Sequence, residues 1–290
     1  MKVLVFFSGG KDSQAALIWA VKTYGVANCE AVFFDTNWEA PYTVKHVNDV
    51  CNQMGVKLTT LTSKRFPGGF LELAKYKDRF PYVQARFCTE ELKSKPSIDY
   101  VLSHTENLII VEGIRAKESA NRARMDAQCT YFKYYYEPLE NGKKYTYQQQ
   151  KVWEWTKKYN ADLIRPCFQW TAQDVIDYIL ANGQQPNPLY YQGFTRVGCF
   201  PCMMARLSEI KLLVLNHPEA WQKFKDAEKY VGRNFFQPGD KMIPKHAYKG
   251  DYPTAEDVEN YIKNKSATID MFAEEKEEQT CMSAFAGLCE

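Results

Sequence analysis

The 290-residue chain contains no apolar run near the ~18–20 residues that a membrane-spanning helix needs. Its N-terminal apolar run, VLVFF, is also shorter than the apolar region of a secretory signal peptide, and no small-residue cleavage site follows it. Internal repeats and low-complexity tracts are missing as well. We therefore expect a cytoplasmic protein that has no membrane partner.

An excess of charge is also lacking, since 37 Lys and Arg residues face 35 Asp and Glu residues. This balance gives no support for a broad nucleic-acid-coating surface, although a local basic patch would be invisible in it. Hydrophobic residues make up 45% of the chain and aromatic residues 14%, which indicates a packed core. The length allows one large α/β domain with a smaller appendage.

Nine cysteines are present. In the cytoplasm they are not expected to form a disulfide framework, so metal binding, redox chemistry or burial must explain them. Cys199-Phe-Pro-Cys202 could be half of a zinc site, a redox dithiol or two iron–sulfur ligands, and Cys88 has the polar neighbours of an exposed ligand. Four further cysteines are expected to be small buried hydrophobes: Cys29, Cys51, Cys129 and Cys167.

Short apolar runs alternate with helical patterns in the first part of the chain. Strands are predicted over 2–7, 30–35, 57–62 and 107–114, and helices over 12–24 and 42–54. This alternation indicates a parallel sheet with helices on both faces. Later helices are predicted after a Thr171 cap, over about 207–215 and over 218–231. We expect an α/β nucleotide-binding domain over 1–165 and a helical C-terminal lobe over 166–290.

The segment FSGGKDS, residues 7–13, lies where the first predicted strand gives way to the first helix. Glycines let backbone amides approach an anion, and a helix N-terminus offers unpaired N–H groups. The segment fits neither the GxxxxGK[ST] loop nor the GxGxxG fingerprint. It predicts a phosphate-binding loop formed by Ser8, Gly9, Gly10, Lys11, Asp12 and Ser13.

Two further segments follow predicted strands and are expected at the same edge of the sheet. Asp35 could orient a nucleotide or hold Mg²⁺, or it could merely cap the next helix. Gly113 opens the segment GIRAKES, in which Arg115 could bind a phosphate or sulfate bidentately. A surface ion pair between Arg115 and Glu118 is the alternative.

The SGGKDS loop resembles the pyrophosphate loop of the adenine nucleotide α-hydrolase, or ATP pyrophosphatase, superfamily. Further segments stand in the order of the phosphoadenylyl-sulfate reductase family: RFCT from residue 86, GIRAKES from 113, NPLY from 187 and RVGCFPC from 196. The resemblance covers about residues 1–205 and is strongest to phage-type and phosphorothioation-type relatives, which keep the intact loop. It implies a Rossmann-like fold.

Iron–sulfur members of that family hold a four-iron four-sulfur cluster with a tandem Cys-Cys and a later CxxC. Cys88 matches one residue of the tandem pair, Cys199 and Cys202 match the CxxC, and Phe87 stands where the other cysteine would be. The resemblance implies a cluster here, with a structural zinc or a bare redox dithiol as alternatives.

Two cysteines of the tail could supply a missing ligand, namely Cys281 and Cys289. Otherwise one iron would be left open to sulfide or substrate. A tail cysteine could instead attack sulfur as a nucleophile, although the tail does not match the Glu-Cys-Gly-Leu-His element of sulfate reductases.

The resemblance implies an ATP-using enzyme that releases pyrophosphate while AMP passes to an acceptor oxygen, with Mg²⁺ and with Lys11, Asp12 and Arg115 as catalytic residues. A sulfur donor would then displace AMP, giving a thiolated nucleic acid or small molecule. ATP cleavage is favoured because Lys11, Asp12 and Ser13 are all retained. The alternatives are an adenylyl-sulfate reductase, which forms sulfite and AMP with a thioredoxin-like reductant, and a non-catalytic nucleotide sensor with a structural metal. Either could be a homo-oligomer.

The aromatic and basic segment over 130–155, TYFKYYYEPLENGKKYTYQQQKVWEW, allows two interpretations. Its rings could stack on bases while its lysines follow a nucleic-acid backbone, which would suit a nucleic-acid acceptor. Alternatively it is an extended hairpin with ordinary aromatic packing.

Overall fold

The computed structural model describes residues 1–82, 85–139, 141–202, 204–236 and 243–267. The strands are β1 (Lys2–Phe6), β2 (Cys29–Phe34), β3 (Lys57–Leu61), β4 (Leu108–Glu112), β5 (Gln128–Thr130) and β6 (Ala161–Ile164). They form one six-stranded sheet in the order β3-β2-β1-β4-β6-β5. Neighbours pair in parallel except for β5, which runs antiparallel to β6 at the edge. The predicted parallel sheet is confirmed.

Helices cover both faces of the sheet, as the alternating sequence pattern predicts. Helices α1 (Lys11–Tyr24) and α2 (Pro41–Met54) pack on one face, where Val5 meets Leu17 and Val50 in one buried cluster. Helices α5 (Lys95–Leu102) and α8 (Gln149–Thr156) pack on the other face. The strands are continuously apolar because both of their faces are buried.

Three of the described helices after β6 pack together as a helical C-terminal lobe: α10 (Leu207–Asn216), α11 (Pro218–Val231) and α12 (Ala255–Ala267). Trp221 and Phe224 of α11 lie in its core together with Phe70 of α3 (Phe70–Tyr76). The lobe thus recruits a segment from the first half of the chain. Conversely, α9 (Ala172–Ala181) packs against α1 of the sheet domain. None of the helices in the described residues is long and apolar enough to span a membrane.

Of the second interpretation of the aromatic segment, the ordinary aromatic packing is confirmed, but the extended hairpin is wrong. The segment contains α7 (Lys133–Tyr136) and the start of α8, and Tyr131, Phe132 and Trp155 are buried against the sheet. These rings are therefore unavailable for stacking on bases. Among the described residues of the segment, Tyr136 and Trp153 are the aromatic side chains left largely exposed. Packing against the sheet decides the conformation here, since local propensity is easily overridden.

The remaining helical pieces are short. Three-residue α4 (Phe87–Thr89) continues through a π turn (Glu90–Ser94) directly into α5, and α6 (Ala120–Ala123) follows β4. Single 3₁₀ turns occupy Val26–Asn28, Ala116–Glu118, Pro188–Gln192 and Lys245–Ala247. The π turn is notable because such turns are frequent at functional sites.

Candidate functional site

A cavity of about 230 Å³ opens at the carboxyl ends of β1 and β4. These two strands meet where the strand order reverses, which is the place where open α/β sheets bind ligands. We call it the front cavity. It is lined by most of the glycine loop, by the end of β4, by the π turn and by the segment 195–202. The sheet order brings the glycine loop and the end of β4 together, and the π turn and the segment 195–202 complete the lining.

The glycine loop folds on itself at the N-terminus of α1. Ser13 Oγ donates to the carbonyl oxygen of Gly10 at 2.9 Å and accepts from the Ser8 amide at 3.2 Å. Gly9 has φ +79°, and a Cβ there would lie 2.9 Å from the Thr43 Cγ2 atom, so only glycine fits. Gly9 is not part of the cavity lining. The other five predicted loop residues line the cavity: Ser8, Gly10, Lys11, Asp12 and Ser13.

Gly113 brings the end of β4 into direct contact with this loop. A Cβ at Gly113 would lie 2.3 Å from both the carbonyl carbon of Asp12 and the amide nitrogen of Ser13. The glycine is therefore required by the close approach of two backbones. It also lines the cavity, as the sequence predicts.

Lys11 points into the cavity from the first turn of α1. Its Nζ lies 3.6 Å from Asp12 Oδ2 and 4.9 Å from the centre of the Tyr190 ring. Burial lowers the pKa of Lys11, and the Asp12 carboxylate opposes that shift. The Lys11 amide donates to the Tyr190 hydroxyl at 3.0 Å, so the segment after α9 closes over the loop.

Arg115 is buried beside the glycine loop, but it is not among the described residues that line the front cavity. Its Nε donates to Asp12 Oδ1, and its Nη2 lies 3.7 Å from Glu118 Oε1. The predicted alternative, a pair with Glu118, is present, but Arg115 is only 6% exposed, so the pair does not lie on the surface. Arg122, likewise buried, pairs with Glu118 and lines the cavity, and burial lowers its pKa to about 10. Carboxylates therefore orient both arginine side chains and neutralise part of their positive charge.

Asp35 does not reach the cavity wall. Its Oδ1 accepts a hydrogen bond from the Asn37 amide at 2.8 Å, which forms a turn just after β2. The neighbouring Glu39 is buried instead, and it accepts from Thr36 Oγ1 at 2.7 Å. Asp35 is therefore outside the cavity lining, and it does not cap α2 either, because the N-cap of that helix is Ala40.

The predicted cysteine ligands line one wall of the front cavity: Cys88, Cys199 and Cys202. The CxxC turn is fastened to the segment after β2, because Phe200 N donates to Trp38 O and Trp38 Nε1 donates to Pro201 O, each at 2.8 Å. Cys88 comes from α4, immediately before the π turn. Residues 111 positions apart in the chain, Cys88 and Cys199, are thus brought to one surface.

Lys93 of the π turn lines the cavity beside these thiols. Burial raises the pKa of Cys88 to about 12 and that of Cys199 to about 11, while the positive charge of Lys93 opposes both shifts. Burial works against the charge of Lys93 itself, but the sulfur atoms and Glu39 outweigh it and raise the pKa of Lys93. Lys93 therefore places a positive charge beside Cys88, Cys199 and Cys202, which we call the cysteine wall.

No three His, Cys, Asp or Glu side chains within the described residues converge as a metal-binding group. The predicted ligands Cys281 and Cys289 lie outside the described residues. The expectation for the other cysteines is largely confirmed, because Cys29, Cys51 and Cys167 are buried and Cys129 is half-buried.

The front cavity has an excess of positive charge. Its lining contains the cations Lys11, Arg86, Lys93, Arg122 and Arg196. The carboxylates in the lining are Asp12, Glu112 and Glu118. Five cations against three carboxylates leave a net charge of +2, which suits a phosphate- or sulfate-bearing anion.

Sequence reasoning did not select several residues of the site. Tyr190, Lys93, Glu112 and Arg122 were not among the predicted site residues, although all four line the cavity. Glu112 was detectable in principle, since it is an acidic residue at the end of an apolar strand, as Asp35 is. Tyr190 ends the NPLY segment of the family resemblance, so that resemblance is the signal that could have pointed to it.

A family model for the phosphoadenosine phosphosulfate reductase domain matches residues 2–205. An uncharacterised 37.8 kDa protein of Escherichia phage 186 is 26% identical, with 99% of this chain and 96% of the phage protein covered. The expected likeness to a phage-type relative is thereby confirmed. An uncharacterised protein of Methanocaldococcus jannaschii is 30% identical over 82% of this chain, and this chain spans only 45% of that protein.

Among solved structures, the phosphoadenylyl-sulfate reductase of Candida auris in complex with phosphate superimposes with a TM-score of 0.46 at 16% identity. The superposition covers 70% of this chain and 83% of that chain. The family match itself extends over more than half of the residues and includes the glycine loop, the end of β4 and the cysteine wall. The chain therefore belongs to the phosphoadenosine phosphosulfate reductase family.

Proposed function

We propose that this protein cleaves ATP to AMP and pyrophosphate in the front cavity and thereby activates an acceptor for sulfur transfer. The observation that carries the proposal is the intact glycine loop, with Lys11 buried against it, in the same cavity as three cysteines. A loop at a helix N-terminus suits a pyrophosphate leaving group, and a sulfur-rich wall suits sulfur chemistry.

In this reaction the triphosphate lies over the loop. The amide of Gly10, which lines the cavity, donates to the leaving pyrophosphate, and Lys11 neutralises its charge as it develops. Arg115 lies behind the cavity lining and would position the Asp12 carboxylate, with which it pairs, beside the phosphates. Of the two predicted Mg²⁺ ligands, Asp12 lines the front cavity and would hold the ion, which would neutralise phosphate charge, whereas Asp35 lies outside the lining.

Two nucleophilic steps complete the proposed reaction. An acceptor oxygen attacks the α-phosphorus, forming a P–O bond as the bond to pyrophosphate breaks. A sulfur donor at the oxidation level of sulfide then attacks the acceptor carbon, and the C–O bond to AMP breaks. Positioning in the cavity supplies most of the acceleration, and neither step needs an external reductant.

The experiment that tests this proposal compares two products. Purified protein given ATP and Mg²⁺ is expected to release pyrophosphate once a competent acceptor is present. Given adenylyl sulfate and thioredoxin instead, it is expected to release no sulfite. Sulfite release without pyrophosphate release would replace the proposal with the reductase alternative, and tight nucleotide binding without either product would favour the sensor alternative.

A four-iron four-sulfur cluster is the cofactor we propose for the cysteine wall, held by Cys88, Cys199 and Cys202. Three thiolates with a neighbouring cation suit such a cluster, which would supply a binding or redox centre for sulfur. The described residues alone do not complete a metal site. No step of the proposed reaction depends on the cluster.

Protein purified anaerobically is expected to contain about four iron and four sulfide per chain. Cys199→Ser should lose most of the iron, because it removes a thiolate ligand. Cys129→Ser, at a half-buried cysteine on β5 away from the cavity, is the matched control and should retain the metal. Zinc in place of iron and sulfide would contradict the cluster and support the structural-zinc alternative.

A further inference from the structure

Asn187 is a fully buried polar residue that contacts the glycine loop across 178 positions of the chain. Its Nδ2 donates to the carbonyl oxygen of Gly9 and to Thr43 Oγ1, each at 3.3 Å. Its Oδ1 accepts from the Leu189 amide at 3.1 Å. These partners fix the orientation of the side-chain amide, because a backbone N–H can only donate and a carbonyl oxygen can only accept. Asn187 therefore presents a hydrogen-bond donor to the loop.

The peptide between Gly9 and Gly10 is the part of the loop that this donor contacts. A peptide flanked by two glycines can rotate as a unit with little steric resistance, because neither residue has a Cβ. Gly9 already has a φ of +79°, which residues with a side chain rarely adopt. The two glycines therefore do not fix the direction of this peptide by themselves, whereas a hydrogen bond from outside the loop can fix it.

The direction of this peptide decides where the Gly10 amide points. In a planar trans peptide the carbonyl group and the following N–H group point in opposite directions. Asn187 holds the Gly9 carbonyl on its own side of the loop, so the Gly10 N–H points away from Asn187. Among the described residues, Gly10 lines the front cavity whereas Gly9 and Asn187 do not, and none accepts a hydrogen bond from the Gly10 amide. The amide therefore remains available to an anion in the cavity.

The next amide of the loop is already engaged by the same segment. The Lys11 amide donates to the hydroxyl of Tyr190, which ends the NPLY segment that Asn187 begins. The segment is also fastened to α1, because Gln14 Nε2 donates to Gln184 Oε1 at 2.9 Å and both side chains are buried. It therefore binds one loop amide and orients the amide before it.

We propose that Asn187 is a positioning residue of the pyrophosphate site: it holds the peptide between Gly9 and Gly10 so that the Gly10 amide donates to the leaving pyrophosphate. The inference rests on the proposed function of the front cavity, and Asn187 itself does not contact the nucleotide. Without its donor the peptide can flip, and the Gly9 carbonyl oxygen then faces the phosphate oxygens in place of an N–H group. Pyrophosphate should lose affinity, whereas AMP, which lacks the β and γ phosphates, should not.

The test is isothermal titration of the full-length protein with pyrophosphate and, separately, with AMP, each in the presence of Mg²⁺. Asn187→Asp keeps the size of the side chain and the oxygen that accepts from Leu189, but it replaces the donor with a carboxylate oxygen that repels the Gly9 carbonyl. Pyrophosphate is expected to bind at least about tenfold more weakly to this variant, the usual effect of losing a hydrogen bond to a charged group. The affinity for AMP should stay that of the wild-type protein.

Asn182→Asp is the matched control for this substitution. Asn182 Nδ2 also donates to a backbone carbonyl oxygen, that of Tyr178, at 2.7 Å. It lies at the end of α9, a few positions before Asn187, and outside the lining of the front cavity. This variant should bind both pyrophosphate and AMP as the wild-type protein does.

Thr43→Val is a milder variant that tests the same contact if Asn187→Asp does not fold. It removes the oxygen that accepts the second hydrogen of the Asn187 amide, and it keeps the methyl group that packs beside Gly9. Pyrophosphate binding should weaken several-fold, and AMP binding should not change.

Three results would overturn the positioning role: wild-type protein that does not bind pyrophosphate, folded variants that bind it as tightly as the wild type, or equal losses of pyrophosphate and AMP affinity. Selective loss of pyrophosphate affinity supports the role of Asn187 even if the wild-type protein releases no pyrophosphate from ATP. In that case the proposed cleavage fails while the anion site stands, so the two failures can be told apart.

Discussion

Replacing Lys11 with methionine is expected to lower the rate of pyrophosphate release by about 10²–10³-fold, the usual effect of removing one charge-stabilising group from a preorganised site. The Lys11 side chain lies in the front cavity, where water screens its charge poorly. Methionine keeps an unbranched side chain that can still cover the Tyr190 ring, so the variant should fold. The loss should fall mainly on kcat, because the leaving pyrophosphate gains negative charge in the transition state.

Lys22→Met is the matched control for this experiment. Lys22 lies in the last turn of the same helix, α1, and also stands over a tyrosine ring, with its Nζ 5.8 Å from the centre of Tyr178. It is exposed and outside the lining of the front cavity. Turnover by this variant should equal that of the wild-type protein. If Lys11→Met released pyrophosphate at the wild-type rate, the charge of Lys11 would have no part in triphosphate cleavage.

The glycine loop was predictable because its chemistry is local. The strand, the two glycines and the helix start lie within about a dozen consecutive residues, and each obeys a short-range rule of backbone geometry. The same holds for α9, whose Thr171 accepts from the Asp174 amide at 3.1 Å in a capping box. Features of this kind can be read from neighbouring residues alone.

The electrostatic arrangement of the site was not predictable in the same way. Asp12 and Arg115 are 103 positions apart, and Lys11 and Tyr190 are 179 apart. Arg115 pairs with Asp12 because the end of β4 lies next to the start of α1. That position follows from the order of the strands in the sheet. Sequence reasoning offered phosphate binding or a pair with Glu118, while the structure adds Asp12, a residue of the loop itself.

The family resemblance predicted the cysteines of the cysteine wall but not the charged residue beside them. The family pattern selected Cys88, Cys199 and Cys202, and the structure brings all three to one cavity. Lys93 was not among the predicted site residues, although it belongs to the π turn that follows Cys88 and lines the same cavity. An irregular turn of this type has no simple periodic signature in the sequence.

Gly113→Ala is expected to destabilise the protein by about 3 kcal/mol, at the upper end of ordinary overpacking, and to abolish nucleotide binding. The added Cβ would lie 2.3 Å from two backbone atoms of the loop, at Asp12 and Ser13. No side-chain rotation can relieve a contact with backbone, so β4 and the N-terminus of α1 would have to separate. The separation would also pull Arg115 away from Asp12.

Urea unfolding and titration with ATP measure the two effects of that substitution separately. Gly142→Ala is the control, because Gly142 has no neighbouring atom within 4 Å of an added Cβ. Its φ of +76° makes alanine strained by about 1 kcal/mol, and nucleotide affinity should not change. If Gly113→Ala bound ATP as the wild-type protein does, the end of β4 would not be what holds the loop in its binding conformation. The close approach of these two backbones would then be a matter of packing alone, and the anion site would have to be formed by α1 and the segment carrying Tyr190.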